Sequence, residues 1–444
     1  MVFSFLKILQ PTHYFSLKRK DGTYILPSYE SIPSEVKKVL KSELKYSNDL
    51  IRNEDLSWQA INKGLLENAG TINNNYKPSI GDSYIFIKRY FSHFWVLYVL
   101  MIRVLSFRNP IKEIKAYTTA KHVNRIKYLE NPISHEEYWQ TFKSQWIINQ
   151  PLVTVIIPTL NRYLYLKDVL KDLEKQNYKR FEVIVVDQSE PFQANFYKDF
   201  NLDVQVVRQE EKALWLARNT AIKQAKGQYI LLFDDDSRVE PDWISNHLKC
   251  LEAFNADISS GVSISKVGDK VPEHYNIFRI SDQLDTGNAM IKRKVFETIG
   301  LFDRQFEKQR MGDGEFGARA FINNFKNISN PKAKRLHLKV GTGGLRDMGS
   351  WDAFRTKSFL DPRPIPSVLY YFRRYYGNTA AKYAIFKTVP LSIMPYRFKS
   401  HKALKIVGAF LAVLLLPIVV YQVWKSWRLA SVKLAEGPKV ESLI

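Results

Sequence analysis

Short, wholly apolar runs alternate with amphipathic stretches through the middle of the chain. Leu152–Pro158 (L-V-T-V-I-I-P), Phe181–Asp187 (F-E-V-I-V-V-D), Val204–Arg208 and Tyr229–Phe233 read as strands covered on both faces. Between them, Tyr165–Gln176 sets Leu166, Val169, Leu170 and Leu173 on one helical face, and Ala213–Ala225 is helical up to a stop at Gly227. Pro241 opens a further helix over Asp242–Asn255. Gly287–Ile291 then reads as a strand, Lys292–Ile299 as a helix stopped by Gly300, and Glu315–Asn324 as another helix. Strands alternating with helices predict right-handed βαβ units, an α/β fold with a mostly parallel central sheet flanked by helices.

The flanks have a different texture, and three segments are expected: 1–149, 150–350 and 351–444. The first is a helical amino-terminal extension of unassigned function. Val36, Val39, Leu40 and Leu44 predict a helix over Ser34–Leu50; Tyr90–Phe107 is apolar and aromatic, a buried or interfacial helix; Lys112–Tyr128 is basic and mixed. The opening M-V-F-S-F-L-K-I-L-Q is too short for a signal-peptide core and has no small-residue cleavage site. In the tail, Val368–Lys387 predicts an amphipathic interfacial helix, and Ile406–Trp424 is apolar enough for a transmembrane helix that tolerates Pro417. A buried core helix is the other reading of 406–424. Arg397, Lys399, Lys402 and Lys405 before that run outweigh Lys425, Arg428 and Lys433 after it, which puts the body of the chain on the cytoplasmic side of a cell membrane.

Composition sharpens this picture. The 444 residues carry a formal net charge of +22, so anionic partners are expected. Nucleic acid is not among them, because no zinc-finger spacing, RNA-recognition signature or basic region feeding a heptad occurs. Aromatic residues make up 14%, many beside Lys or Arg, as in Tyr370–Tyr376 (Y-Y-F-R-R-Y-Y), a mixture suited to anionic lipid at a membrane surface. Cys250 is the one cysteine, which excludes an internal disulfide and fits a reducing compartment.

The candidate chemistry begins where Tyr229–Phe233 ends in Asp234, Asp235 and Asp236. Three adjacent carboxylates repel one another and need either water or a cation. At the carboxyl end of a parallel strand, where open α/β sheets bind ligands, Mn2+ or Mg2+ shared with a substrate diphosphate is the economical reading; a solvated acidic turn is the alternative.

Six motifs in order resemble family 2 glycosyltransferases: V-T-V-I-I-P-T-L-N-R (Val153–Arg162), E-V-I-V-V-D-Q-S (Glu182–Ser189), A-R-N-T-A (Ala217–Ala221), F-D-D-D (Phe233–Asp236), G-N-A-M-I (Gly287–Ile291) with I-G-L-F-D (Ile299–Asp303), and G-D-G-E-F-G-A-R (Gly312–Arg319). The resemblance covers about residues 150–350. It implies a GT-A fold, a Rossmann-like sheet with a nucleotide half and an acceptor half, and inverting transfer from a nucleotide-sugar donor, a UDP-sugar, to a hydroxyl of a glycan or lipid-linked glycan acceptor in polysaccharide assembly.

By the same resemblance, Pro158, Thr159, Asn161 and Arg162 line the nucleoside pocket, Asp187 holds the uracil ring, Asp234 contacts the ribose, and Asp236 holds the metal bridging the phosphates. Arg218 faces the same crevice, where a guanidinium suits a diphosphate or base edge. Asp235, grouped with the nucleotide-sugar-binding residues, occupies the variable middle position, where simple solvation is the other expectation. His337 is placed near the metal or the diphosphate. Gly341, Gly343, Gly344 and Arg346 suggest a loop that closes over the diphosphate. Asp313 is the catalytic base, with Glu315 as the alternative. The family's Glu-Asp pair is here Gly312-Asp313, a departure that leaves room for a non-catalytic, membrane-attached glycan- or lipid-binding scaffold. A sugar-phosphate nucleotidyltransferase is a further reading, although P-T-L-N-R lacks the Gly-rich basic loop such enzymes carry after the first strand.

Overall fold

The computed structural model of the chain describes residues 3–66, 78–265, 271–281, 284–340, 344, 353–356, 358–395, 398 and 401–443. It divides into two compact units, each discontinuous in sequence. One comprises residues 1–133, 354–364 and 372–425; the other comprises 134–353, 365–371 and 426–444. The three consecutive segments expected above are therefore not the compact bodies. The end of the tail belongs to the sheet-bearing unit because its backbone is hydrogen-bonded there: Leu301 N–H donates to the Glu441 carbonyl at 2.8 Å and Lys439 N–H donates to Asp303 Oδ1 at 2.9 Å.

Among the described residues the sheet-bearing unit has nine strands: β1 (Val153–Thr159), β2 (Phe181–Asp187), β3 (Val204–Arg208), β4 (Tyr229–Phe233), β5 (Ser237–Val239), β6 (Ile258–Ile264), β7 (Arg279–Ile280), β8 (Asn288–Lys292) and β9 (Asn327–His337). Their order is β3-β2-β1-β4-β8-β6-β9-β5, with β7 also paired to β9. The four strands β3, β2, β1 and β4 are parallel. β8 runs antiparallel between β4 and β6, β6 and β9 are parallel, and β5 closes the far edge antiparallel to β9. The sheet is thus parallel in its first half and mixed in its second. β1 and β4 are buried at every position, which explains their unbroken apolar sequence. Tyr163–Glu174 lies against the sheet through Leu166, Val169, Leu170 and Leu173, all fully buried. Leu214–Gln224, Trp243–Ala253, Arg293–Ile299 and Gly312–Ile322 are further helices of this unit.

Sequence pattern overlooked β5, β6, β7 and β9. β9, the longest strand, reads N-I-S-N-P-K-A-K-R-L-H; it carries a proline, few apolar residues and a register break opposite Gly261/Val262. It is a strand because β6, β5 and β7 pair with it, not because its own residues favour one.

The other unit is helical, as expected, with different boundaries. Ser34–Leu50 is not one helix: Ser34–Lys38 stops, and Asp49–Asn62 starts afresh behind an Asn48 cap that accepts Ile51 N–H at 3.0 Å. Gln59 explains the interruption, because its side-chain amide takes both backbone groups of Lys41, at 3.1 and 2.8 Å. The apolar stretch Tyr90–Phe107 forms the helix His93–Leu105, set off at Ser92 from the preceding Ile80–Tyr90 and followed by Pro110–Thr119. Arg89, Asp55 and Tyr90 form a buried polar network beneath Trp58 and Phe86. Pro366–Thr388 is interrupted at Gly377, whose φ of 83° no helix allows. The single span expected over 406–424 is broken into two helices, which only as a pair are long and apolar enough for a broken span or a re-entrant loop. Lys402–Leu414 and Leu416–Glu436 are separate helices bent by 91°, with Pro417 in the first turn of the second. Pro has no N–H to continue the preceding helix and its ring favours a helix start, so the break falls just before it. No single helix among the described residues is long and apolar enough to cross a membrane.

Candidate active site

The carboxyl ends of β1, β2 and β4 converge on one edge of the sheet, because parallel strands in register deliver Thr159, Asp187 and Asp234 to the same side. Beyond β4 the chain turns through Asp234–Asp236 into β5, whose Ser237 is registered opposite His337 of β9. That pairing sets His337 Nε2 at 3.3 Å from Asp236 Oδ1. Leu338 N–H also donates to the Asp236 carbonyl at 2.9 Å, which fixes the turn. One ligand atom from each of Asp234, Asp236 and His337 lies within 4.8 Å of the others. Carboxylate and imidazole donors at this spacing fit a divalent cation of the manganese or magnesium type.

Two arginines hold Asp234. Arg335 Nη1 donates to Asp234 Oδ2 at 2.7 Å and Arg218 Nη2 donates to Asp234 Oδ1 at 3.0 Å. Burial opposes ionisation, yet Arg335 and Arg218 keep the Asp234 carboxyl well below the usual carboxylate range. Arg335 also bonds Ser263 and Ser237 and grips both oxygens of Asp285 at 3.1 and 3.0 Å, so all three of its nitrogens are engaged. Asp285 is likewise lowered by Arg335 against the effect of burial. Gly287 is required where this network passes: a Cβ there would stand 2.1 Å from both Arg335 Nη1 and Asp234 Oδ2. This accounts for the glycine of G-N-A-M-I in contact terms.

Arg218 is 2% exposed, stacks over Trp215 at 5.2 Å, and donates from Nη2 to Asp234 and to the Thr286 carbonyl. Its Nε and Nη1 have no hydrogen-bond partner among the described residues. A buried guanidinium with unspent donors is an anion-binding arrangement. Its charge is coupled to Asp234, Asp313 and Asp285.

Asp313 sits half-buried in the first turn of Gly312–Ile322, where Gly314 N–H donates to its Oδ1 at 2.8 Å. Burial raises its carboxyl above the usual range despite Gly314 N–H, Arg310 and Arg218. Glu315, the alternative base, is fully buried and forms a two-point pair with Arg319 at 2.9 and 3.0 Å. Arg319 in turn donates to the carbonyls of Ile299, Gly300 and Leu301. Glu315 therefore belongs to the packing of I-G-L-F-D against the helix and is withdrawn as a base. The departure at Gly312 is explained by Trp215, whose indole occupies the space a side chain there would need. It is a packing exchange and gives no support to a decayed site.

Other expectations change with the geometry. Asp235 is not solvated: it is 5% exposed, accepts from Thr159 Oγ1 at 2.9 Å and Arg162 Nη1 at 3.0 Å, and burial pushes it up to about 6 against the pull of Arg162. Arg162 also reaches Asp236 Oδ2 at 3.2 Å and the Val340 carbonyl, tying the aspartate turn to the chain that follows β9. Thr159 and Arg162 thus organise the acidic turn. Pro158 is buried within β1. Asn161 joins two loops, donating its N–H to Ser189 Oγ at 2.7 Å and accepting Glu190 N–H at 2.9 Å. Asp187 is enclosed: Tyr163 and Tyr197 hydroxyls both donate to its Oδ2 at 2.7 Å and Ser189 N–H donates to its Oδ1 at 2.8 Å. A direct base contact from this carboxylate is corrected on that ground, since it is fully buried behind the two phenols. Gly344 N–H donates to the Leu160 carbonyl at 2.8 Å, whereas Gly341, Gly343 and Arg346 lie outside the described residues.

Sequence reasoning missed Arg335, Asp285 and Trp215. A signal existed for two of them. Arg335 is two residues before His337, so strand periodicity puts both on one face, and Trp215 is three residues before Arg218 on one helix.

The family model described as glycosyl transferase family 2 matches residues 154–316. Among curated relatives, glycosyltransferase GlyA of Streptococcus pneumoniae is 28% identical over 163 residues, 36% of this chain and 22% of that protein. Glycosyltransferase AglE of Haloferax volcanii is 27% identical over 165 residues, 35% of this chain and 53% of that protein. The match thus spans about half or less of either relative's length. The solved Staphylococcus aureus TarS fragment 1–349 in complex with UDP-GlcNAc aligns with a TM-score of 0.43 and 17% identity, over 64% of this chain and 92% of that one. Residues 154–316 thus match the glycosyl transferase family 2 model, and they lie on the α/β sheet with helices on its faces.

Proposed function

We propose that this chain is an inverting glycosyltransferase that moves a sugar from a nucleotide-diphosphate donor, a UDP-sugar in our reading, to a hydroxyl of a glycan or lipid-linked glycan, in polysaccharide or glycoconjugate assembly. The observation that carries this reading is Arg218: buried, bonded to Asp234, coupled to Asp313 and left with two unspent donors. It provides an anion site between the acidic turn and a carboxylate held as a base. The glycosyltransferase relatives support the reaction class.

Asp236 and His337, with Asp234 beside them, would hold Mn2+ or Mg2+, which when bound supplies counter-charge to a departing diphosphate. Arg335 and Arg218 keep Asp234 ionised and aimed. Arg218 binds phosphate oxygens through Nε and Nη1. Asp313 accepts the proton of the acceptor hydroxyl as that oxygen attacks the anomeric carbon. The new carbon–oxygen bond forms on the face opposite the old one, and the bonding pair of the broken bond leaves with the nucleoside diphosphate. The burial-raised carboxyl of Asp313 makes it a better proton acceptor than an exposed aspartate. The cations around 397–405 and the apolar tail support attachment at the cytoplasmic face of a cell membrane.

The test is a screen of nucleotide sugars with purified protein and manganese, reading nucleoside diphosphate release, thermal shift and the anomeric configuration of the product. Saturating donor at 100 times its dissociation constant should stabilise the fold by about 2.7 kcal/mol. A folded protein that neither binds nor turns over any nucleotide sugar, or one whose product keeps the donor's configuration, would sink the proposal.

A further inference from the structure

We propose that the unit formed by residues 1–133, 354–364 and 372–425 docks on an anionic bilayer through two apolar prongs lying in the interface plane, not through a spanning helix. This deepens the membrane attachment proposed above and rests on it.

The first prong is the hairpin of His93–Leu105 and Pro110–Thr119. The helix His93–Leu105 buries Val96 and Val99 and turns Phe94, Leu97, Met101 and Leu105 outward, at intervals of three or four residues. At the connection Phe107 is 99% exposed, and Ile111 follows at 77%. The second prong is the elbow between Lys402–Leu414 and Leu416–Glu436, where Phe410, Leu414 and Leu416 are exposed around the 91° bend. Apolar side chains this exposed, concentrated at two turns of one unit, mark a surface built to be covered.

Charge selects what covers them. Between residues 93 and 129 the single acidic residue is Glu113, which is buried and bonded to Arg103 and Tyr84. The exposed charges of that stretch are Arg108, Lys112, Lys115, Lys121, Arg125 and Lys127, all positive. Residues 362–435 contain no Asp or Glu, while Lys and Arg recur throughout. Exposed rings and aliphatic groups bordered by cations alone suit acyl chains beneath anionic headgroups.

Geometry selects the mode. At 1.5 Å per residue, Lys402–Leu414 is about 20 Å long, against a hydrocarbon core of roughly 30 Å. The apolar part of the next helix, Leu416–Trp424, is about 14 Å by the same measure. Its continuation from Ser426 belongs to the sheet-bearing unit, where Lys433 Nζ donates to the Gln305 carbonyl at 2.7 Å. A right-angled elbow with both arms short lies in the interface and does not thread it.

The experiment is co-sedimentation of the full chain with phosphatidylcholine vesicles, plain or doped with phosphatidylglycerol, at low and high salt. The wild-type chain is expected to bind doped vesicles, to bind plain ones at least tenfold more weakly, and to be released by alkaline carbonate. F107D and L414D are each expected to weaken binding about tenfold or more, and together to abolish it, with unchanged melting temperature because both side chains are exposed. Nucleotide-sugar turnover measured without vesicles should be unaltered in these variants, which separates failure of this proposal from failure of the catalytic one. Wild-type binding that survives both substitutions overturns the proposal, as does a chain that only detergent extracts. A vesicle-indifferent chain whose self-association in sedimentation velocity is dissolved by F107D would assign the surface to a second copy instead and overturn it too.

Discussion

Trp215 stands where a side chain on Gly312 would have to go: a Cβ at that position would lie 2.3 Å from indole Cζ2 and 2.5 Å from Cε2. The indole cannot swing aside freely, because its Nε1–H donates to the Phe306 carbonyl at 3.1 Å and Arg218 stacks on its face. The pair sets both the start of the Asp313 helix and the seat of Arg218.

G312A is therefore expected to destabilise the protein by about 1–3 kcal/mol, the usual range for overpacking a closed site. G312E, although it restores the pair commonly seen in the family, should be worse. Combining G312A with W215F should recover part of the loss. Urea melts of the three variants check this, and additive losses in the double variant would show that the two residues do not share one space.

Arg335 is the buried joint between Asp234 and Asp285. R335M leaves two partly buried carboxylates without their common partner, and a loss of about 3 kcal/mol is expected. R335K keeps the charge without the planar fork and should fall between. Donor affinity should drop in both, since Asp234 loses its fixed aim. Chemical denaturation and calorimetric donor titration are the two readouts.

Asp313→Asn should lower turnover by about 10²–10⁴-fold, the range for a lost general base, with donor binding largely kept. The sign of the stability change is opposite. Burial raises the Asp313 carboxyl in the folded state, so its ionised form opposes folding at neutral pH, and a neutral Asn should melt slightly higher. Wild-type turnover should decline as pH falls through that raised value, because the proton acceptor is lost. A D313N variant with wild-type turnover would remove the residue from the chemistry.

His247 governs an acid limit on stability. It is fully buried, Ser259 Oγ lies 2.9 Å from its Nδ1 and Asn288 Oδ1 3.1 Å from its Nε2, and burial lowers it to about 4. The unfolded chain takes up this proton near pH 6.5 and the folded one only near 4, so the contribution is complete above 6.5 and is lost as pH falls toward 4. At about 1.4 kcal/mol per unit, roughly 3 kcal/mol disappears across that window. Melting temperature against pH should show the drop, and H247Q should flatten it between 6.5 and 4.

The helix, strand and motif readings succeeded where one residue type had one physical role. Val153–Thr159 and Tyr229–Phe233 had to be central strands because no other element buries seven or five consecutive residues on both faces. The aspartates after Phe233 had to end such a strand, and Leu166, Val169, Leu170 and Leu173 had to face it. β9 was invisible because a strand made by its neighbours needs no apolar period of its own, and with it went Arg335. Ile406–Trp424 was read as one continuous helix for a related reason: hydropathy counts apolar residues without registering that Pro417 begins a new helix and turns the path by 91°.

Local composition along this chain was enough to specify the α/β class, the parallel half of the sheet, the acidic turn and the Asp313 helix, because each rests on periodicity or on a run of like residues. Which partner each charge takes was settled only by folding. Asp235 and Asp187 became enclosed, Glu315 was committed to Arg319, and Asp234 was gripped from two sides by arginines 117 positions apart. Electrostatic and hydrogen-bond partners depend on distances of about 3 Å across elements remote in sequence, and no one-dimensional pattern encodes those distances.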